Sequence, residues 1–269
     1  MSSRKAPIGF VPIQDASSTG GASCSFIDQA EFDPANATQW ELEAAKKSAA
    51  SFRLVLGSQS PRRRQLLEDA QYRFAVLPAQ DGVEEEAENN GLRDAEPKAF
   101  VSALAFLKAK NVVEQLTAEA NDAREDVARQ LEAPDEQTPF VVVSCDCVAE
   151  CKGEILGKPL DRADAERMLR RLNNSEHAVH TGLCVWKLDL NDRADDKLVR
   201  RVETSILKMQ FLSEERLRQY LDSGLWKGKA GAFGYQDGND WLELLTGTGS
   251  NVVGLPTEAL AFVLTRLFP

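Results

Sequence analysis

The chain has 269 residues, of which 43% are apolar and 28% are charged, and its formal net charge is −10 at pH 7. This composition predicts a globular protein with a sizeable core, and its acidic balance argues against general binding of nucleic acid. No segment approaches the ~20 apolar residues of a membrane span, and the first residues carry too short an apolar run for a secretory signal, which favours a cytoplasmic protein with no membrane partner.

The five cysteines are an odd number and show no pairing pattern, so we expect free thiols in a reducing compartment. Residues 1–50 are rich in Pro, Ser, Gly and Ala and show little periodicity. They are predicted to form a flexible extension, with a short helix at 40–49. The core domain is expected to span residues 51–269 and to begin with a short apolar strand from Arg53 to Leu56.

Three consecutive arginines follow this strand in an unusual position. Ser60 is a good N-cap and Pro61 is favoured at the first helical position, so Arg62 to Arg64 fall in the opening turn of a helix. The helix dipole already places roughly half a positive charge there, and carboxylates are the usual occupants. The pattern indicates a site for an anion such as a phosphate chain. A solvated basic turn on a surface helix is the alternative.

The remaining elements are predicted from periodicity and cap residues. They are a strand at 72–77, a helix at 97–131, a strand at 138–150 with a hairpin to 155–157, a helix after the N-cap Asp161, strands at 178–188 and 199–211, a helix at 213–222, a strand at 241–245 and a closing helix at 256–268. Residues 114–139 contain eight acidic and two basic side chains, so this part is expected to form an exposed acidic helical excursion. Strands and helices interleave without a regular repeat, which predicts a mixed α/β sheet flanked by helices.

Two charged residues stand at positions that indicate chemistry. Asp146 lies at the end of the most apolar strand, where a carboxylate must be exposed or be paired with cations or a metal. Lys158 lies between Gly157 and Pro159, just past the hairpin, and a lysine at such a constrained corner suggests an anion contact.

Three other segments stand out for their cysteine spacing or their glycine content. The spacing of Cys145, Cys147 and Cys151 does not match a common zinc signature, and buried thiols explain it more simply. The glycine-rich segment 247–256 lacks the ending of a P-loop, and a turn with Asn251 bonded to local backbone is the favoured interpretation. The glycine-rich segment 229–238 suits a flat ligand, with Gln236 offering a donor and an acceptor to a base edge.

Taken together, these segments resemble the Maf family of nucleoside triphosphate pyrophosphatases. The matching motifs occur in family order at 58–63, 104–109, Asp146, 155–159, 177–182, 229–236 and 250–256. The resemblance implies an elongated mixed sheet flanked by helices, with two lobes around a central cleft, shared in outline with the inosine triphosphate pyrophosphatases. It also implies a possible homodimer.

The resemblance further implies the reaction and the residues that perform it. Members cleave a nucleoside triphosphate to the monophosphate and pyrophosphate with Mg²⁺ or Mn²⁺, and the branch resembled here acts on dTTP and UTP, with modified pyrimidine nucleotides as further candidates. The residues carried over are Asp146, Lys108 and Lys158 for catalysis; Ser58, Ser60, Arg62 and Arg63 for the phosphates; Arg62, Cys147 and Gln236 for specificity; and Glu84, Glu85 and Asp146 for the metal.

The chain departs from the family pattern in three places. Cys147 stands where the family usually has threonine. Glu84 and Glu85 align with the family's Asp-Glu pair, and the alignment allows a shift of one residue. Residues 1–50 and 114–139 have no counterpart in a compact member of the family. The Asp146-Cys147 pair leaves open a second function, a catalytically weak nucleotide-binding regulator of septum formation and cell division. Binding of nucleic acid by the arginine turn is disfavoured, because the chain is acidic and lacks a basic stripe interleaved with aromatics.

Overall fold

A computed structural model of the protein describes residues 23–24, 51–85, 92, 95–131 and 138–268. The predicted extension at 1–50, with its short helix at 40–49, therefore lies outside the described residues except for Ser23–Cys24. In the described ranges no helix combines the length and apolarity that crossing a bilayer requires. Cys145, Cys147, Cys151 and Cys184 form no disulfide bond, as expected.

The helices and strands follow the predicted order closely. The strands are β1 (Ser23–Cys24), β2 (Arg53–Leu56), β3 (Phe74–Val76), β4 (Phe140–Cys151), β5 (Glu154–Leu156), β6 (Glu176–Leu188), β7 (Lys197–Met209) and β8 (Leu242–Thr246). The helices are α1 (Pro61–Asp69), α2 (Pro97–Thr117), α3 (Asp122–Leu131), α4 (Arg162–Leu172), α5 (Glu214–Ser223), α6 (Gly249–Val253) and α7 (Thr257–Leu267), with single 3-10 turns at Arg193–Asp195, Ala230–Ala232 and Tyr235–Asp237.

The described strands form one mixed sheet in the order β1-β7-β6-β4-β2-β3, and β5 and β8 add to β4 and β7. β2 runs parallel to β3 and β4, whereas β6 runs antiparallel to both of its neighbours, β4 and β7. Phe140–Val143 is fully buried, because helices cover both faces of the sheet at this point. The prediction of a mixed α/β sheet flanked by helices is confirmed.

The long strands β4, β6 and β7 run through two lobes that have separate hydrophobic cores. In the first lobe, α1 and α7 pack on one face of the sheet and α2 and α3 pack on the other. In the second lobe, α4 and α5 pack around the hairpin of β4 and β5 and the far ends of β6 and β7. A cleft lies between the lobes, as the family resemblance implied.

The acidic segment differs from its predicted form. The single helix predicted at 97–131 is broken after Thr117, and the second helix, α3, buries Val127 and Leu131 against the sheet. The Gln130 side chain accepts from the Val76 amide at 2.8 Å and donates to the Val76 carbonyl at 3.1 Å. β3 is the last strand on this side, so α3 covers an edge that would otherwise expose unpaired backbone groups.

Candidate active site

The cleft between the lobes has a volume of about 660 Å³ and contains every site residue that the sequence predicted. These are Ser58, Ser60, Arg62, Arg63, Glu84, Glu85, Lys108, Asp146, Cys147, Lys158 and Gln236. They come from six separate segments of the chain, which the fold brings to one place. Their roles stay predictions, but their juxtaposition is an observation.

A gap along one edge of β4 creates the floor of the cleft. β2 pairs with β4 up to Val143, and β5 pairs with β4 only from Ala149 onward. Among the described residues, the intervening stretch 144–148 has a strand neighbour on its other side only, where β6 pairs with it. Asp146 and Cys147 lie in this gap, so their side chains reach the cleft from a strand that is otherwise buried.

Lys108 is held against Asp146 by close packing of α2 on the sheet. Gly182 lies opposite Asp146 in the pairing of β4 with β6. A Cβ at Gly182 would lie 2.2 Å from the Val101 carbonyl oxygen, so only glycine lets the backbone of α2 approach here. The Lys108 Nζ, two turns further along α2, lies 2.6 Å from Asp146 Oδ1. The sequence predicted that the Asp146 carboxylate is either exposed or paired, and the structure pairs it with a buried lysine.

Glu84 completes a cluster of opposite charges, which we call the acid–lysine cluster: Lys108, Asp146, Glu84 and Lys158. Lys108 Nζ also lies 2.5 Å from Glu84 Oε1, and Lys158 Nζ lies 4.0 Å from Glu84 Oε2. Burial raises the pKa of the Glu84 carboxyl, but the charges of Lys108, Lys158 and Arg63 and the hydrogen bond from Lys108 outweigh it. The net pKa of Glu84 lies below its ordinary value, so Glu84 is ionised at neutral pH.

The hairpin between β4 and β5 brings Lys158 to the cleft. Its two-residue turn places Lys152 at φ 54° and Gly153 at φ 79°, both in the left-handed region that a tight hairpin of this kind requires. Lys158 is 65% exposed, so it faces the open side of the cleft, whereas Lys108 faces the floor.

The three arginines in the opening turn of α1 lie in two different environments. Arg63 donates from Nε to the Gly254 carbonyl at 2.8 Å and from Nη1 to Ser58 Oγ at 3.0 Å, and Arg62 donates from Nη2 to the Gly228 carbonyl at 2.8 Å. Both line the cleft, whereas Arg64 is exposed and pairs with Glu68. The alternative of a solvated basic turn therefore describes Arg64 alone.

Arg62 and Arg63 are placed as an anion site would place them. Burial and the neighbouring charge of Arg63 lower the pKa of Arg62, and an anion between the two guanidinium groups would relieve that repulsion. Ser60 precedes α1 as predicted, but its side chain makes no capping hydrogen bond and lines the cleft instead. Its hydroxyl is thereby placed at the helix N-terminus, where an anion is favoured.

Cys147 presents a neutral thiol to the same cleft. Burial raises the pKa of this thiol, although a hydrogen bond with Thr181 and the charge of Arg63 act in the opposite direction. Burial likewise raises the pKa of Cys145 to about 12. Both raised pKa values are typical of neutral, packed thiols, which agrees with a structural role for Cys145 and Cys147.

The glycine-rich segment 247–256 is held by tertiary contacts, which corrects the expectation of a locally bonded Asn251. The buried Asn251 side chain donates to the Val179 carbonyl at 3.3 Å and to Ser205 Oγ at 2.9 Å. Thr248, rather than Asn251, caps α6. Val252 and Val253 consequently form part of the cleft wall, a role that the sequence pattern did not indicate.

Two aromatic residues beside Gln236 were also missed. Phe233 and Tyr235 line the cleft on the loop that carries Gln236. The signal that could have found them was the interleaving of aromatic and glycine residues at 231–235, which places flat side chains next to close backbone turns.

The donor set suits a hard divalent cation. The Glu84 and Asp146 carboxylates both contact Lys108 Nζ within 2.6 Å, so their nearest oxygens are no more than about 5 Å apart. The described residues contain no group of three or more His, Cys, Asp or Glu side chains arranged as a complete cage. Mg²⁺ commonly binds one or two carboxylates together with substrate phosphates. Glu84 and Asp146 could supply the two carboxylates, and Glu85 is adjacent to Glu84 on the same turn.

Comparison with known proteins identifies close sequence relatives. A family model described as "Maf-like protein" matches residues 53–267. The chain is 43% identical over 214 residues to a dTTP/UTP pyrophosphatase of Rhodopirellula baltica, covering 78% of this chain and 80% of that one. It is 34% identical over 217 residues to a dTTP/UTP pyrophosphatase of Caldanaerobacter subterraneus, covering 80% and 89%.

A solved structure of a HAM1 protein from Coxiella burnetii is also similar, at 14% identity and a TM-score of 0.33, covering 80% of this chain and 99% of that one. This score is too low to establish a common fold.

Proposed function

The chain belongs to the Maf family, and from this membership we propose that it is a nucleoside triphosphate pyrophosphatase that hydrolyses dTTP and UTP to the monophosphate and pyrophosphate, a house-cleaning hydrolase. The observation that carries the proposal is the meeting of four cationic side chains of the cleft, Arg62, Arg63, Lys108 and Lys158, with the carboxylates of Asp146 and Glu84. The cations match a polyphosphate, and the carboxylates match proton transfer and metal binding.

The cationic side chains bind and orient the triphosphate. Arg62 and Arg63 extend from the first turn of α1, and the hydroxyls of Ser58 and Ser60 lie beside them. Lys158 faces them from the hairpin side of the cleft. Together they neutralise charge on the phosphates and on the pyrophosphate as it departs.

Asp146 acts as the proton acceptor. Water attacks the α-phosphorus, the bond from that phosphorus to the bridging oxygen breaks, and the pyrophosphate leaves with the bond electrons while Asp146 takes the proton of the water. Lys108 keeps the Asp146 carboxylate oriented toward the cleft through its 2.6 Å contact. A divalent cation, Mg²⁺ or Mn²⁺, held by Glu84 and Asp146 would supply Lewis-acid stabilisation of the phosphate oxygens when bound.

Base selection falls to Gln236, with Arg62 and Cys147 as the other specificity positions. The Gln236 amide has both a donor and an acceptor, which complement the O4 and N3–H of thymine or uracil. Phe233 and Tyr235 provide the flat apolar wall beside it. Modified pyrimidines that keep this edge are further candidate substrates.

The proposal is tested by pyrophosphate release from a panel of canonical and modified nucleoside triphosphates with Mg²⁺ or Mn²⁺. Wild type should release pyrophosphate from dTTP and UTP, and Asp146→Asn should lose about 100-fold or more of the turnover. Asp195→Asn is the matched control, because Asp195 pairs with Lys187 in an ion pair away from the cleft. No release from any nucleotide by folded wild type would favour the regulator of septum formation.

A second variant tests the base assignment. Gln236→Glu removes the amide donor, so kcat/KM for dTTP and UTP should fall by about 10-fold or more relative to other triphosphates, since one lost hydrogen bond to a paired group is of this order. Gln219→Glu, on the exposed side of α5, is the matched control. An unchanged order of preference would show that Gln236 does not read the base.

A cytoplasmic location and a homodimer remain predictions that accompany this proposal. Size-exclusion chromatography with light scattering measures the oligomeric state directly. A monomer at micromolar concentration would contradict the homodimer.

A further inference from the structure

A buried ion pair closes the loop that carries Gln236. We call residues 228–238 the base loop. Lys229 Nζ lies 2.5 Å from Asp237 Oδ2, and both side chains are only 11% exposed. The two residues are eight positions apart, so their contact joins the beginning of the base loop to its end. Burying a charge pair this deeply costs desolvation, which offsets much of the attraction between the charges, so the pair is weak evidence for a purely stabilising role.

The same oxygen, Asp237 Oδ2, accepts a second hydrogen bond, which comes from the neighbouring helix α5. The Tyr220 hydroxyl, on α5, donates to Asp237 Oδ2 at 3.3 Å and accepts from the Gly234 amide at 3.2 Å. The Asn239 side chain donates to the Gly234 carbonyl at 3.1 Å. The middle of the base loop is thus tied to the Asp237 carboxylate through Tyr220.

The backbone of the base loop passes directly over the ion pair. A Cβ at Gly234 would lie 2.3 Å from Asp237 Oδ2 and 2.5 Å from Lys229 Nζ, closer than any side chain can approach. A side chain at position 234 would therefore displace the paired ends of Lys229 and Asp237, so the close passage of the loop over the pair depends on a residue without a Cβ. The loop is fixed at its two ends and at its centre.

Asp237 lies next to Gln236 and near Arg62, two of the three proposed specificity positions. It follows Gln236 in the 3-10 turn Tyr235–Asp237, so fixing Asp237 fixes the backbone from which Gln236 reaches the cleft. Arg62 donates to the Gly228 carbonyl at the start of the base loop, and the negative charge of Asp237 acts on the Arg62 guanidinium. The carboxylate of Asp237 itself points into the buried network with Lys229 and Tyr220.

We propose that Asp237 is a positioning residue for base selection: by holding Lys229 and Tyr220 it orients Gln236, and so it sets the preference for thymine and uracil without touching the nucleotide. This inference rests on the proposed function, because it assigns Asp237 a part in the base recognition of that same cleft. A merely structural Asp237 would affect the stability of the fold and leave the base preference unchanged.

The test measures binding of hydrolysis-resistant α,β-methylene analogues of dTTP and dCTP by calorimetry. The dCTP analogue presents an amino group and an unprotonated N3 where the dTTP analogue presents O4 and N3–H. Asp237→Ala should reduce the wild-type preference for the dTTP analogue by about 10-fold, the effect of one mispositioned hydrogen-bonding group. Tyr220→Phe, which keeps the ring against Trp241, should reduce it in the same direction but less, and it serves if Asp237→Ala does not fold.

Two further variants sharpen the result. Asp240→Ala, which removes the exposed partner of Arg216 just beyond the base loop, should keep the wild-type preference. Asp237→Ala combined with Gln236→Ala should show the same preference as Gln236→Ala alone, because Asp237 acts through Gln236.

The outcomes separate the inference from the function on which it rests. Folded Tyr220→Phe and Asp237→Ala that both keep the wild-type preference would overturn the inference, as would wild type that binds both analogues equally. Wild type that prefers the dTTP analogue but releases no pyrophosphate from dTTP would overturn the proposed function and leave the positioning of Gln236 by Asp237 standing.

Discussion

Replacing Lys108 by methionine removes the charge at the centre of the acid–lysine cluster and keeps an unbranched apolar stem. The Lys108 residue is 7% exposed, and its ammonium lies 2.6 Å from Asp146 and 2.5 Å from Glu84. In the Lys108→Met variant, two carboxylates face each other without the cation that separates them.

The expected cost follows from the exposure of the two partners. Removing one partner of a buried pair costs about 3–5 kcal/mol, because an uncompensated charge is left behind. Asp146 is 13% exposed and should contribute most of this cost, whereas Glu84 is 48% exposed, so water screens its share. We therefore expect a loss of about 3 kcal/mol in the free energy of unfolding, which lowers Tm by about 6–12 °C for a domain of this size.

Activity should fall further than stability accounts for. Lys108 supplies a preorganised positive charge beside the proposed proton acceptor, and removal of one such donor typically costs about 100- to 1,000-fold in kcat. The assays are thermal unfolding and steady-state pyrophosphate release at a temperature where the variant is folded. Lys110→Met, which changes a partly exposed lysine outside the cleft on the same helix, should leave both quantities close to wild type.

A double variant distinguishes this reasoning from a simple packing effect. Lys108→Met with Asp146→Asn removes both charges, so its loss of stability should be smaller than the sum of the two single losses by about 1 kcal/mol or more. Its activity should stay as low as that of Asp146→Asn. Strictly additive losses of stability would refute the claim that the two residues stabilise each other.

The burial of His177 and the contact of Gln130 with β3 also have measurable consequences. Burial lowers the pKa of His177 to about 4. As the pH falls from about 6.5 to about 4, the unfolded chain therefore takes up a proton that the native state does not, which should remove about 3 kcal/mol of stability. Urea unfolding across this range should show a shallower decline of stability in His177→Gln than in wild type, and equal declines would contradict the burial argument. Gln130→Ala should expose the backbone edge of β3 at Val76, lowering stability by about 1 kcal/mol and increasing light scattering on mild heating, whereas Gln219→Ala should change neither.

Much of the local structure was predictable because its rules act over a few residues. Pro61 begins α1, Asp161 caps α4 through the Asp164 amide, and Ser213 caps α5 through the Arg216 amide. The apolar run 140–143 forms a strand buried on both faces, and Lys152-Gly153 forms the two-residue hairpin turn. In each case the residue type itself fixes a dihedral angle, a cap or a buried face.

The break in the long acidic helix and the partners of Asn251 were not predictable in this way. The burial of Val127 and Leu131 depends on a sheet surface that is made by distant strands. Asn251 bonds to Val179 and Ser205, which the sequence separates from it by 72 and 46 residues. Local hydrogen bonding was the expected alternative because neighbouring backbone is the only partner that sequence position reveals.

The sequence by itself determined which residue types are present for the chemistry: arginines in the opening turn of a helix, a carboxylate just after an apolar run, a lysine at a constrained corner and an amide in a glycine-rich loop. Asp146 was expected at the end of its strand but lies in the middle of β4, which continues to Cys151. Only the tertiary structure decided that Lys108 meets Asp146 across 38 residues, that Arg62 meets Gly228 across 166, and that Asp237 closes the base loop. Strand register, the gap beside β4 and the close approach of α2 at Gly182 set these distances. Such contacts arise from packing between distant segments, which no local pattern specifies.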